Sequence, residues 1–231
     1  MDSVEVGGLR IAYERAGAGP PLVLLHGYVG DGPTLWRPQL DTLSDDFTVI
    51  AWDAPGAGAS SDPPESFGIA GYADALAGFI TVLGLDSPHV AGLSFGGILA
   101  IAFHGRHPEV ASRLILASAY AGWSGSLPAE VVTQRLQQAM ALSELPPDEF
   151  VAALLPTMFS DGTPPKTVDV FGESMRAFHP AGFRAMARAS AENVREALPH
   201  IEVPTLLICG GNDTRAPRPR HHHPAAAVPS A

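Results

Sequence analysis

Hydrophobic positions along the first half of the chain follow two patterns, short apolar runs and longer helical repeats. Val4 to Val6 and Arg10 to Arg15 alternate apolar and polar residues around a Gly-Gly pair, which predicts a β-hairpin. The runs PLVLLHG, FTVIAWD, HVAGLS and SRLILASA are typical of strands buried on both faces. Helical spacing occupies residues 34–44, 68–85 and 95–108 between them. The alternation predicts an α/β fold with a mostly parallel central sheet and helices on both faces.

The strand signal stops between residues 123 and 199, where three segments have helical periodicity, and it returns in PTLLICG at 204–210. We therefore expect residues 1–122 and 200–231 to form the core and residues 123–199 to form an inserted helical cap. Five apolar residues of this block could line a binding pocket or simply pack in the cap: Trp123, Met140, Met158, Phe159 and Phe178.

Charge and composition narrow the class of protein. The formal net charge of −10 and the absence of a basic stripe argue against nucleic-acid binding. The single cysteine, Cys209, cannot form an internal disulfide, which favours a reducing compartment. The sequence contains neither a signal-peptide pattern at its start nor an uninterrupted apolar run of membrane-spanning length. We expect a cytoplasmic protein that does not bind membranes.

The clearest chemical motif is GLSFGG, because Gly92-Leu93-Ser94-Phe95-Gly96 fits G-x-S-x-G between a predicted strand and a predicted helix. Glycines on both sides allow a sharp turn with Ser94 at its apex. The Ser94 hydroxyl would then stand at a helix N-terminus, where negative charge is stabilised. The backbone N–H of Phe95 would point to a developing oxyanion. A glycine-rich turn with a capping serine is the plainer alternative.

Two further stretches, with this motif, give the chain a resemblance to the α/β-hydrolase family. His26-Gly27-Tyr28 follows the first buried strand, as His-Gly often does in the family, and DAPGAGASS follows the next. The resemblance implies that the Tyr28 N–H is the second oxyanion donor and that His26 and Gly27 shape the loop. It also implies that Asp213, the last residue of GGND, is the acid of a Ser-His-Asp triad.

By this resemblance, the chain looks most like bacterial serine esterases and hydrolases of enol-lactones or C–C bonds. The resemblance implies hydrolysis of a small ester, lactone or related acyl substrate through an acyl-enzyme, with no organic cofactor and no metal. The alternative is a catalytically inactive hydrolase scaffold or ligand-binding module that lacks the triad histidine.

The C-terminal segment RAPRPRHHHPAAAVPSA does not show the helix, strand and Gly-His loop that carry the histidine in the family. The sequence therefore suggests a core that is truncated before its last strand. His221 to His223 remain open as a tail without a role, a misread or frameshifted segment, a catalytic base or a metal site. In such a core the apolar strand at 204–210 would form the sheet edge, which predicts self-association through that edge.

Overall fold

The computed structural model describes residues 1–213 and residue 215. Within this part of the chain the strands are β1 (Asp2–Val6), β2 (Leu9–Ala16), β3 (Pro21–Leu25), β4 (Thr48–Trp52), β5 (His89–Leu93), β6 (Arg113–Ala117) and β7 (Thr205–Ile208). They form one sheet in the order β1-β2-β4-β3-β5-β6-β7. The helices of the same residues are α1 (Gly32–Leu35), α2 (Arg37–Leu43), α3 (Gly68–Val82), α4 (Phe95–Arg106), α5 (Trp123–Ser126), α6 (Ala129–Ser143), α7 (Pro147–Leu154), α8 (Pro165–Arg176) and α9 (Pro180–Ala191). Short 3₁₀ turns lie at Leu155–Thr157 and Arg195–His200.

The sheet confirms the predicted fold class. Strands β4, β3, β5, β6 and β7 run parallel to one another, whereas β1 and β2 form the predicted antiparallel hairpin. Gly7 and Gly8 turn the hairpin with φ values of +57° and +82°, a region that favours glycine. The central strands are apolar except at Thr48 and His89, their first residues, as expected for strands whose two faces are covered by helices.

The helical repeat predicted over residues 34–44 is two helices in the structure. Helix α1 ends at Leu35, Trp36 leaves the helical conformation, and α2 begins at Arg37. Pro38 explains the break, since it has no N–H and its ring would clash with the carbonyl of Thr34 in a continuous helix.

The helices between β6 and β7 have an apolar cluster of their own, with Phe150, Met175 and Phe183 fully buried. Helix α9 contributes to two clusters, because Phe183 packs in the cap whereas Met186 and Ala189 pack against the sheet core. Helices α8 and α9 and the turn Arg195–His200 all contact the core, and the division into core and cap stays an interpretation.

Candidate active site

Ser94 lies at the sharp turn where β5 ends and α4 begins. Its φ of +53° and ψ of −111° are unusual for a residue with a side chain, and such a conformation costs of order 1–3 kcal/mol. Three backbone hydrogen bonds hold it: the Ser94 N–H donates to Ala117 O at 3.0 Å, and Ser94 O accepts from the N–H groups of Gly97 at 2.9 Å and Ile98 at 3.0 Å. The neighbouring strand and the first turn of α4 thus fix the serine in this conformation.

The glycines on both sides of Ser94 are required by close backbone approaches. A Cβ on Gly92 would collide with the carbonyl of Gly96. A Cβ on Gly96 would collide with Leu25 O and lie 2.8 Å from His26 O, both at the end of β3. The turn can therefore pack against β3 only if both positions lack a side chain.

The Ser94 side chain is half-buried and lines a cavity of about 770 Å³ between the sheet and the cap helices. Within residues 1–213 and 215 its hydroxyl has no hydrogen-bond partner. Ser94 is also the N-cap of the 12-residue helix α4, whose N-terminal partial positive charge favours an anion there.

Two backbone N–H groups near Ser94 are the predicted oxyanion donors, those of Tyr28 and Phe95. Phe95 is the first residue of α4, and neither N–H has an acceptor in the described part of the chain. The Tyr28 ring stacks on Phe183 of the cap with centroids 5.3 Å apart, and the Phe95 ring packs edge-on against Tyr72 at 5.2 Å. Aromatic packing thus holds both side chains, and the role of the two N–H groups at an oxyanion stays a prediction.

His26 is buried, and both of its ring nitrogens are engaged. Its Nδ1–H donates to Gly27 O at 2.5 Å, and its Nε2 accepts the Ala54 N–H at 2.9 Å. Burial lowers the pKa of His26, the effect of the nearby Asp53 charge being smaller. A neutral imidazole thus ties the loop after β3 to the loop after β4, and its contacts are those of a structural residue.

Asp53 opens the predicted DAPGAGASS loop and organises it from inside. It is fully buried, and its carboxylate accepts the N–H groups of Gly32 and Ala59, each at 2.9 Å. Burial raises the pKa of Asp53, while the N–H donors and His26 oppose that change. This carboxylate positions the loop that follows His26 and does not line the cavity.

Asp213 lies beyond the carboxyl end of β7 and lines the same cavity as Ser94. Its Oδ1 accepts the backbone N–H of Arg215 at 2.9 Å. The structure therefore brings the predicted nucleophile and the predicted acid to one cavity at the carboxyl edge of the sheet.

None of the described histidines lines this cavity; they are His26, His89, His104, His107, His179 and His200. His221 to His223, which the sequence leaves as candidate bases or metal ligands, lie outside the described residues. Across residues 1–213 and 215 there is no group of three or more His, Cys, Asp or Glu side chains that could hold a metal ion. No helix in that part of the chain is both long and apolar enough to cross a membrane.

Residues 123–199 supply much of the apolar wall of the cavity. Of the five apolar residues proposed from the sequence, Trp123, Met158 and Phe159 line it. Met140 and Phe178 do not; Phe178 stacks on Phe150 with ring centroids 3.9 Å apart.

Sequence reasoning missed two charged residues of the cavity wall, Arg135 of α6 and Arg215 after Asp213. Arg135 lies four residues from both Val131 and Ala139, so all three share one face of the helix. An arginine on the same helical face as the buried Ala139 could have indicated from the sequence that Arg135 points into the protein. Arg215 had no such signal, because it lies in a loop.

A family model described as alpha/beta hydrolase fold matches residues 20–163. An uncharacterized protein of Mycobacterium tuberculosis is 39% identical over 114 residues, which are 49% of this chain and 33% of that protein. The chain thus spans about a third of the length of this curated relative.

Two further similarities cover nearly the whole chain. A pyrrolizixenacetamide deacetylase of Xenorhabdus hominickii is 29% identical over 94% of this chain and 82% of its own. A solved structure of a thermophilic esterase from Thermogutta terrifontis, with malate bound, superimposes with a TM-score of 0.83 at 28% identity. It covers 93% of this chain and 80% of the esterase.

Proposed function

This chain belongs to the alpha/beta hydrolase fold family, and from that premise we propose that it hydrolyses a small ester, lactone or related acyl compound with Ser94 as the nucleophile. The observation that carries the proposal is the conformation of Ser94. It is a serine at positive φ, held between two obligatory glycines, with its hydroxyl at a cavity that contains a carboxylate. Relatives whose names state an esterase and a deacetylase support acyl transfer as the reaction.

In the first half of the reaction, Ser94 Oγ attacks the substrate carbonyl carbon and its proton passes to a base. The carbonyl oxygen becomes an oxyanion that accepts hydrogen bonds from the N–H groups of Tyr28 and Phe95. When the carbonyl re-forms, the bond to the leaving alkoxide breaks and the base returns the proton to it. The products of this half are an alcohol and an acyl-enzyme ester on Ser94.

In the second half, water attacks the acyl carbon while the base takes its proton. The bond to Ser94 Oγ then breaks and the proton returns to that oxygen, so that a carboxylic acid is released and the serine is restored. A histidine is the base that this chemistry uses most often, and Asp213 would orient it and stabilise its charged form. Among the histidines of this chain, His221 to His223 are the candidates that remain, because none of the others lines the cavity.

The test is hydrolysis of 4-nitrophenyl butyrate by the purified chain and by Ser94→Ala. We expect turnover that falls on the order of 10⁴- to 10⁶-fold in Ser94→Ala. Ser87→Ala is the matched control, since Ser87 is a serine with a φ of +47° that is exposed and outside the cavity. Equal turnover in Ser94→Ala and the parent chain would refute the nucleophile, and a folded parent chain without turnover would refute the activity.

A second comparison addresses the base. Replacing His221, His222 and His223 together by glutamine should remove turnover if one of them accepts the Ser94 proton. Retained turnover in this variant would show that the proton acceptor is not one of the three.

A further inference from the structure

Two guanidinium groups face the cavity that Ser94 lines, and they come from different parts of the fold. Arg135 lies in the middle of α6, and Arg215 follows Asp213 in the loop after β7. Both side chains are half-buried. Placing two arginines at one largely apolar cavity is costly unless something compensates their charge.

Arg215 is held by neutral oxygens. Its Nη1 donates to Thr157 Oγ1 at 2.7 Å, and its Nη2 donates to the Tyr28 hydroxyl at 3.0 Å. Thr157 belongs to the cap and Tyr28 to the loop after β3, so Arg215 is fixed from both walls of the cavity. A guanidinium has five N–H donors, and these two bonds leave most of its donors available.

Arg135 is held still more loosely. Its Nη2 donates to the backbone oxygen of Arg215 at 3.3 Å, and its guanidinium carbon lies 6.0 Å from the centroid of the Trp123 ring. That distance is at the limit of a cation–π interaction. The Arg135 guanidinium is thus linked to the Arg215 backbone, and both arginines line the cavity.

Neither guanidinium has a carboxylate within ion-pair distance among residues 1–213 and 215. Other arginines of the chain do form such pairs, which join Arg37 to Glu14, Arg106 to Asp74, Arg176 to Asp148, and Arg184 and Arg188 to Glu65. Acidic residues outnumber basic ones by 24 to 14, so carboxylates are abundant in the chain. Within residues 1–213 and 215, the lack of an ion pair to either guanidinium therefore distinguishes these two arginines from the paired ones.

The electrostatic environment of Tyr120 indicates the same region of positive charge. Burial raises the pKa of Tyr120, whereas its hydrogen bond from Trp123 and the charges of Arg135 and Arg215 act to lower it. Asp213 is the carboxylate that lines the cavity within the described residues, and its Oδ1 accepts the Arg215 backbone N–H. Among the described lining residues, two arginines face the cavity with one carboxylate, so this part of the wall carries a net positive charge.

We infer that the cavity takes acyl substrates that carry a carboxylate, which Arg135 and Arg215 bind while Ser94 attacks the ester or lactone carbonyl. The hydrolysis step in this inference rests on the proposed function, whereas the binding of a carboxylate by the two arginines does not. Guanidinium groups bind carboxylates with two parallel hydrogen bonds, and partial burial strengthens that contact. The carboxylate would supply the counter-charge that the described residues do not place beside either arginine.

A purely structural role for the arginines makes a different prediction. If Arg215 only ties the cap to the core, its loss should impair neutral and anionic substrates equally. If the arginines bind the substrate carboxylate, their loss should act mainly on anionic substrates and mainly through KM.

The kinetic test compares two esters that differ in one charge, 4-nitrophenyl hydrogen adipate and methyl 4-nitrophenyl adipate. For the parent chain we expect kcat/KM to be at least about 10-fold higher for the anionic ester. Arg135→Met and Arg215→Met should each reduce this preference about 10- to 100-fold, the range for loss of a charged hydrogen bond. Arg15→Met is the control for net charge, because Arg15 is exposed in β2 and outside the cavity; it should keep the preference.

The binding test needs no turnover. Hexanoate and its neutral isostere hexanamide are titrated into Ser94→Ala and followed by tryptophan fluorescence, because Trp123 lies beside Arg135. We expect hexanoate to bind at least about 10-fold more tightly than hexanamide, to bind more weakly at high salt, and to lose this advantage when either arginine is replaced. If Arg215→Met does not fold by circular dichroism, Arg135→Met decides the question.

Each outcome separates the two proposals. Hydrolysis without preference for the anionic ester, or with a preference that both arginine variants retain, would overturn the carboxylate site and leave the hydrolase intact. Absence of hydrolysis with arginine-dependent hexanoate binding would overturn the hydrolase proposal and support the site. Absence of both would overturn both.

Discussion

Replacing Gly96 by alanine should destabilise the chain sharply, because the structure leaves no room for a side chain at this position. The added Cβ would collide with Leu25 O and lie 2.8 Å from His26 O, and real Cβ atoms essentially never come within 3.0 Å of such atoms. Both oxygens belong to backbone at the end of the central strand β3, so neither can rotate away as a flexible side chain could. Either β3 or the start of α4 must move, and the turn at Ser94 moves with α4.

Overpacking of a well-packed core costs about 1–3 kcal/mol, and a collision with two backbone carbonyls belongs at the upper end, at about 3 kcal/mol. For a chain of this size, 1 kcal/mol corresponds to about 2–4 °C in the melting temperature, so we expect Gly96→Ala to lower Tm by about 6–12 °C. Thermal unfolding followed by circular dichroism measures this shift. Gly162→Ala is the matched control, because a Cβ at Gly162 meets nothing within 4 Å. A Gly96→Ala variant as stable as Gly162→Ala would refute this packing of the turn against β3.

Two further predictions concern the buried histidine and the sheet edge. Burial lowers the pKa of His26, so the unfolded chain takes up a proton at this residue more readily than the folded one, and stability falls as pH drops below about 6.5. His26→Gln should be less stable than the parent chain at pH 7.5, because it loses the ring's hydrogen bonds to Gly27 and Ala54. Between pH 7 and pH 5, urea titrations should show a smaller fall in its free energy of unfolding than in that of the parent chain. An equal fall in both chains would contradict this prediction. Within the described residues β7 is the edge strand, and Leu207 on it is 57% exposed. Leu207→Glu should therefore reduce self-association measured by sedimentation velocity. Val82→Glu in α3, at a similarly exposed residue away from the edge, should leave self-association unchanged. A parent chain that is monomeric at every concentration would refute this prediction.

The parts of the fold that follow from the sequence are those set by local pattern. The runs around Val23, Ile50 and Val90 predict buried strands because both faces of each strand are apolar, and the structure places all three at the centre of the sheet. The turn at Ser94 is predictable for a similar reason, since glycines on both sides of a serine between strand and helix allow few other conformations. The division at Trp36 was also available from Pro38 but is easily missed beneath a convincing apolar repeat.

The composition of the cavity could not be predicted in the same way. Arg135 and Arg215 are 80 positions apart in the sequence, and only the packing of the cap on the core brings them to one wall. Apolar periodicity identifies the cap helices but does not say which apolar residues face the core, the cap interior or the cavity. Trp123 therefore lines the cavity while Phe178, equally plausible from the sequence, stacks on Phe150.

Covalent labelling tests most directly whether Ser94 is an activated nucleophile. A fluorophosphonate reacts with an activated serine to form a stable phosphonyl ester and release fluoride, and intact-mass spectrometry counts the adducts. We predict one adduct on the parent chain, on the peptide that contains Ser94, and none on Ser94→Ala, while Ser87→Ala labels like the parent chain. A folded parent chain that remains unlabelled, or a label that persists in Ser94→Ala, would contradict the claim.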